Sequence, residues 1–110
     1  MPQALLVLVN VPDENVAHAI ARAVVEQGLA ACVNLLPAVR SVYRWQGAVE
    51  EATEITLMIK TVEARYAELE KVIATMHPYD VPEIIALPIV AGLAEYLGWV
   101  AGETKKDVHV

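Results

Sequence analysis

The segment HPYDVPEI, residues 77–84, brings several chemically capable side chains together within a short stretch. Four of them could donate or accept protons in acid–base catalysis: His77, Tyr79, Asp80 and Glu83. Pro78 and Pro82 fix the backbone φ angle at two positions and favour a stiff, extended connection. In such a connection polar side chains also satisfy backbone groups, as they do in turns. The segment therefore fits either a catalytic cluster or a structural junction.

Signatures of metal binding or nucleophilic catalysis are sparse elsewhere. His18, His77 and His109 are far apart in the chain, whereas a metal site read from sequence has ligands a few residues apart. Cys32 is the single cysteine, and we expect it in the core because free cysteine is among the most buried residue types. The five glycines form no phosphate-binding motif. These patterns favour neither a hydrolase nor a nucleotide-binding enzyme.

Charged and aromatic side chains also gather between residues 39 and 54. Strand alternation places Glu50 and Glu54 on one face, where we expect a solvated rim paired with nearby basic residues. Two carboxylates on one face can also hold a hard cation. Tyr43 and Trp45 share a face as well, and we expect them to anchor a subunit interface. A stacking platform is the alternative.

The elements that must position these residues follow from hydrophobic periodicity. The patterns predict four strands, at 4–10, 30–47, 49–61 and 82–90, and three helices, at 13–28, between Thr61 and His77, and at 92–102. Their order, β-α-β-β-α-β plus a C-terminal helix, predicts an α+β, ferredoxin-like split-βαβ fold with an antiparallel sheet. We expect one domain spanning 1–110.

Particular residues define the ends and faces of these elements. Pro37 lacks an N–H for the ladder and predicts a bulge in the second strand. Asp13 is a candidate N-cap for the first helix, and Thr61 is one for the second. The spacing of this helix predicts an apolar stripe: Val62, Tyr66, Leu69, Ile73 and Met76. For the third helix the residues expected to face inward are Leu93, Tyr96, Leu97 and Val100. The stretch 103–110 is expected to be a loosely held tail.

Composition limits the classes of partner. Of the 110 residues, 56% are hydrophobic, above the usual share of about 45–50%. Two helices can cover only one face of a four-stranded sheet. The excess of hydrophobic residues therefore predicts that the other face is buried in a subunit interface. The net charge of −6 without a basic cluster argues against nucleic acid. The apolar runs are too short to span a membrane, and we expect a cytoplasmic protein.

Several segments together resemble the CutA divalent-cation-tolerance family. The matching stretches, in the family's order and spacing, are LAACVNLLP at 29–37, SVYRWQG at 41–47, EITLMIKT at 54–61, HPYDVPEIIALPI at 77–89 and YLGW at 96–99. The resemblance implies a ferredoxin-like subunit, a homotrimer in which long hairpins joining the second and third strands pair across subunits, and kinship to PII-like signalling proteins.

The resemblance also implies a function without catalysis, linked to copper and other divalent cations. Some members have a cysteine at the end of the first strand and a second histidine just before HPY. Val9 and Met76 hold those positions here, which leaves His77 as the candidate metal ligand. The Met76 thioether suits Cu(I).

Three hypotheses follow. The first is a non-enzymatic metal-tolerance trimer that binds copper weakly through His77. The second is a PII-like regulatory module that binds a small molecule or partner protein in clefts between subunits. The third is a small isomerase-like enzyme that uses the four side chains of the 77–84 segment.

Overall fold

The computed structural model describes residues 2–106, which form four strands and three helices. In chain order they are β1 (Ala4–Val11), α1 (Glu14–Glu26), β2 (Cys32–Trp45), β3 (Ala48–Val62), α2 (Glu63–Met76), β4 (Ile84–Pro88) and α3 (Ala94–Glu103). Element type and order agree with the expectation from the sequence. The observed α1 and β4 are each shorter than predicted because the flanking turns and prolines end them earlier.

The sheet is antiparallel, with strand order β2-β3-β1-β4. β1 and β3 lie at the centre, paired along their length from Ala4↔Val62 to Val11↔Ile55. β2 and β4 form the two edges. This is the order of the split-βαβ arrangement, so the predicted fold class is confirmed.

The core lies between the sheet and helices α1 and α2. Successive strand residues point to opposite faces, and alternate side chains of β1 and β3 are almost fully buried against the helices. These core residues are Val7, Val9 and Val11 on β1, Ile55, Leu57 and Ile59 on β3, Ile20 and Val24 on α1, and Leu69 and Ile73 on α2. The Asp13 carboxylate accepts a hydrogen bond from the Val16 N–H, 2.9 Å away, and caps α1 as predicted.

β2 and β3 form a hairpin that projects from the body of the domain. The strands have 14 and 15 residues, and the molecule measures 50 × 31 × 23 Å. The turn uses Gln46 and Gly47, both at positive φ, as two-residue hairpin turns of type I′ require. The register shifts between Leu36 and Val39, which confirms the bulge predicted from Pro37.

The other face of the sheet, here called the open face, carries apolar side chains that α1 and α2 do not cover. By alternation it holds the residues of β1 and β3 that point away from the core, together with Leu36 on β2 and Ile85 and Leu87 on β4. These three side chains are 50%, 49% and 43% exposed. Only part of the open face is in contact with α3, which lies against β3 and β1.

Three expectations about the helices are wrong. The N-cap of α2 is Val62, without a side-chain cap, and the Thr61 hydroxyl instead donates to the Leu29 carbonyl at 2.7 Å. Met76, the last residue of α2, is exposed. On α3, Val100 is buried as predicted, but Leu93 is 72% exposed and Tyr96 is exposed too.

The predicted tail begins later than expected. Glu103 ends α3, and Thr104 is buried, with its hydroxyl donating to the Val100 carbonyl at 2.8 Å. Lys106 Nζ lies 3.2 Å from Glu68 on α2. Residues 107–110, with His109, lie outside the described part of the chain. No helix within residues 2–106 combines the length and apolarity needed to cross a bilayer.

The buried hydroxyl of Thr61 gives a stability prediction. Thr61→Val keeps the shape but leaves the Leu29 carbonyl without this donor, so we expect a loss of about 1–3 kcal/mol in the free energy of unfolding. Thr61→Ser should lose less because it keeps the hydroxyl. Urea unfolding followed by circular dichroism measures both, with the exposed Thr53→Val on the same strand as control. A Thr61→Val protein as stable as the parent would contradict the bond's role.

Candidate functional site

A cleft of about 820 Å³ lies between the hairpin and the segment that follows α2. Seven of its lining residues were singled out from the sequence: Tyr43, Trp45, Glu54, Pro78, Tyr79, Asp80 and Glu83. The fold therefore brings the hairpin aromatics and most of the 77–84 segment together, although their sequence positions are more than 30 residues apart. His77 and Pro82 are not part of the lining.

His77 is held beneath the cleft by its two ring nitrogens. His77 is buried, with 7% of its surface exposed. Its Nε2 lies 2.7 Å from the Asn10 carbonyl oxygen. The Tyr79 N–H donates to Nδ1 at 3.2 Å. Because Nδ1 accepts, Nε2 carries the proton and donates to Asn10. The imidazole thus joins the end of β1 to the start of the 77–84 segment, which is a structural role.

Tyr79 reaches across to β3, where its hydroxyl donates to Glu54 Oε2 at 2.9 Å. Burial, then the hydrogen bond to Glu54, and then the charge of Glu54 raise the pKa of Tyr79 to about 12. Tyr79 therefore stays a neutral donor at physiological pH. Glu54 is 7% exposed, so the expectation that it forms part of a solvated rim is wrong: the 77–84 segment folds over this part of the hairpin.

Asn10, at the end of β1, organises the same region. Its Oδ1 accepts from the Thr56 hydroxyl at 2.6 Å, and its Nδ2 lies 3.4 Å from Glu83 Oε1. Its backbone carbonyl holds His77. Sequence reasoning missed Asn10 and the role of Glu54. The one signal for Asn10 was a polar residue ending the otherwise apolar run ALLVLVN.

The hairpin supplies an aromatic wall. Tyr43 and Trp45 are each more than two-fifths exposed and line the cleft together with Arg40. In the single chain they face solvent, so the sequence-based proposal that they anchor a subunit interface stays a prediction.

Cys32 lies outside the cleft lining, near the opposite end of β2. It is half-buried rather than part of the core, because β2 is an edge strand and the thiol is on the open face. Its Sγ is 4.0 Å from Lys60 Nζ and 3.9 Å from Asn34 Oδ1. Burial, followed by the charge of Cys32 and a hydrogen bond with it, raises the pKa of Tyr96.

The arrangement limits the chemistry that the cleft supports. Ser41 lines it, but the imidazole of His77 is bonded through both nitrogens and is not free to act as a base. Across residues 2–106, no group of three or more His, Cys, Asp or Glu side chains is placed to hold a metal ion. What the cleft offers is aromatic faces, carboxylates and one guanidinium, a lining suited to binding.

The chain resembles known proteins over nearly its full length. The family model described as CutA1 divalent ion tolerance protein matches residues 5–103. The divalent-cation tolerance protein CutA of Thermus thermophilus is 50% identical over 99 residues, which are 90% of this chain and 96% of that protein. Its solved structure superposes with a TM-score of 0.91 at 48% identity, covering 93% of this chain and 99% of that one.

Two further relatives broaden the comparison. Human protein CutA is 48% identical over 97 residues, or 88% of this chain, but this chain spans only 54% of the human protein's length. The Archaeoglobus fulgidus structure, described as a periplasmic divalent cation tolerance protein CutA, has a TM-score of 0.90 at 35% identity, covering 93% and 99% of the two chains. The family model, the sequence identity and the fold agree, and the chain belongs to the CutA1 divalent ion tolerance protein family.

Proposed function

We propose that the chain serves divalent-cation tolerance as a cytoplasmic homotrimer that performs no catalytic step. The observation that carries this proposal is the apolar surface left uncovered in the single chain. Leu36, Ile85 and Leu87 on the open face are all exposed, as are Val42 and Val49 on the hairpin. Exposed apolar patches above a few hundred Å² mark interaction sites, and packing against other copies would cover this one.

The occupied ring nitrogens of His77 support the non-enzymatic part of the proposal, because they leave Ser41 without that base. A cytoplasmic location fits a chain with one cysteine, which has no partner for an internal disulfide.

The trimer is tested by light scattering coupled to size exclusion. We expect a mass three times the 12.0 kDa of one chain. Ile85→Glu places a charge on the open face and should lower that mass, because a charge in an apolar interface is costly. Val25→Glu, at an exposed position on α1, is the matched control and should leave the mass unchanged. A parent protein that elutes as a monomer would contradict the proposal.

We propose that the cation this chain binds is copper, and that it binds at His77. Nδ1 is the nitrogen to consider, because its contact with the Tyr79 N–H, at 3.2 Å, is longer than the 2.7 Å contact of Nε2. Binding there must break this contact and expose a buried ring, and no cluster of metal-binding side chains within residues 2–106 supplies co-ligands. The physical expectation is therefore weak binding.

Titration calorimetry with Cu²⁺ tests this site. We expect a small binding heat in the parent that His77→Ala removes. His18→Ala, which deletes an exposed imidazole on α1 that pairs with Glu14, should keep it. Circular dichroism checks that each variant is folded, and His77→Gln is the milder replacement if alanine unfolds the protein. The same heat in the parent and in a folded His77 variant would refute the site and leave His77 its structural role.

The cleft favours a second function, the binding of a small molecule in a PII-like regulatory role. Its volume of about 820 Å³ is in the range of small-molecule sites, and its lining mixes aromatic and charged side chains.

A thermal-shift screen against metabolites of different charge tests the ligand function. We expect at least one compound to raise the melting temperature of the parent, since a ligand that binds only the folded state stabilises it. Trp45→Ala, which removes one wall of the cleft, should abolish that shift. Trp99→Ala, at an exposed position on α3 outside the cleft lining, should retain it. A set of shifts unaffected by Trp45→Ala would exclude the cleft as the site.

A further inference from the structure

We propose that the start of α2 carries a binding site for a small free oxyanion of the phosphate type, whose oxygens pair with the guanidinium of Arg65. Arg65 belongs to α2 and lies outside the cleft lining, the open face and the hairpin. The contacts proposed for the trimer therefore leave this site uncovered. The inference goes beyond the copper and small-molecule functions proposed above and does not depend on either.

The first observation is a buried arginine that lacks an acceptor. The Arg65 side chain is 10% exposed, and its Nε is buried without a hydrogen-bond partner among residues 2–106. Within that range it is the one buried side-chain nitrogen or oxygen in this state. A buried donor without an acceptor is costly, and more so when the group is charged. The guanidinium therefore has a place for an acceptor that the described chain does not fill.

The shape of the guanidinium indicates which acceptor fits. Arg65 Nη1 donates to Glu68 Oε1 at 3.1 Å, and this is the one side-chain hydrogen bond of Arg65 among the described residues. On the other edge of the planar group, Nε and Nη2 present two N–H groups side by side. Such a pair matches two oxygens of one carboxylate or phosphate. The free edge thus selects an oxyanion over a spherical ion such as chloride.

The second observation is an excess of positive charge at the same place. Lys106 Nζ lies 3.2 Å from the Glu68 oxygen that Arg65 also contacts, so one carboxylate oxygen serves two cations. Arg65 is in the first turn of α2, where the Val62 N-cap provides no side-chain acceptor, and the positive end of the helix dipole adds to the potential. Glu63 in that turn is exposed and screened by solvent. These charges favour a second anion beside Glu68.

The side chains next to the guanidinium are exposed enough to make way for a ligand. Lys106 and Glu68 are 62% and 51% exposed, and a surface ion pair of this kind contributes little to stability. A phosphate that displaces Glu68 keeps Arg65 Nη1 and Lys106 paired, and its further oxygens give Nε the acceptor it lacks. The net charge of −6 opposes anions at long range, so the affinity must come from these short contacts.

Titration with inorganic phosphate tests the site on the full chain in its solution assembly. Calorimetry at constant ionic strength, with phosphate replacing sodium chloride, gives the affinity, and the Arg65 Nε–H signal in ¹H–¹⁵N NMR spectra locates binding. We expect phosphate to bind to the parent and to shift this signal. Arg65→Lys keeps the charge but removes the paired N–H groups, so it should weaken phosphate at least about tenfold, as a lost charged hydrogen bond implies.

Two further variants separate this site from general effects of charge. Arg22→Lys, at an exposed arginine on α1 that pairs with Glu26, is the matched control and should bind phosphate like the parent. Glu68→Gln removes the competing carboxylate and should tighten phosphate by about two- to fivefold. A purely structural role of Arg65 would not produce that gain. Circular dichroism checks each fold, and if Arg65→Lys unfolds, the Arg65 signal of the parent and the Glu68→Gln gain decide.

The chain itself offers one other source of an oxyanion. Asp107 follows Lys106 in the sequence and lies outside the described residues. Equal phosphate binding in the parent and in Asp107→Asn supports a site for a free ion. Phosphate binding that appears only in Asp107→Asn would overturn the proposal, because the chain's own carboxylate would then occupy the site.

Two other results would also overturn the proposal. One is a parent protein that binds no phosphate and shows an unchanged Arg65 Nε–H signal. The other is an equal loss of affinity in Arg65→Lys and Arg22→Lys, which would show that phosphate associates with exposed charges in general. Neither result bears on the trimer, the copper site or the cleft, since none of these uses Arg65.

Discussion

The pairing of β1 with β3 is the constraint on which the rest of the structure depends. The two strands run side by side over eight residue pairs, and both sheet edges and all three helices are attached to them. Because side chains alternate, this one register decides which apolar residues face α1 and α2 and which face away. A shift by one residue would exchange the core face and the open face.

The same register builds the cleft. Asn10 lies opposite Thr56, two residues from Glu54, so the end of β1 is close to the buried carboxylate. From there the Asn10 carbonyl holds His77, and His77 holds the Tyr79 backbone. Tyr79 then reaches Glu54 and completes a closed loop of contacts. The rigid part of the site is thus made of backbone and buried groups, whereas the aromatic wall on the hairpin is exposed.

The sequence predicted the elements well because each has a periodic signal or a chemical boundary. Alternation located the hairpin, Asp13 began α1, and Pro37 marked the bulge. The wrong predictions concern which side chains are buried and which part of the molecule buries them. Periodicity shows that Leu93 and Met76 belong to apolar stripes, but a stripe does not reveal whether core, solvent or another subunit faces it. Glu54 looked like a surface charge because burial by a segment more than 20 residues away leaves no local trace in the sequence.

The hairpin that gives the molecule its length also has a consequence for how the chain folds. The β2–β3 contacts are local, across a two-residue turn at Gln46 and Gly47, and hairpins of this kind form in about 1–10 µs. The β1–β4 pairing joins Leu5 to Pro88 and must close a loop of most of the chain, which is slower. From this difference in loop length we expect the hairpin to form before β1 and β4 pair. Its aromatic and aliphatic side chains are then still uncovered, and the charged residues along it would oppose the association of newly made chains.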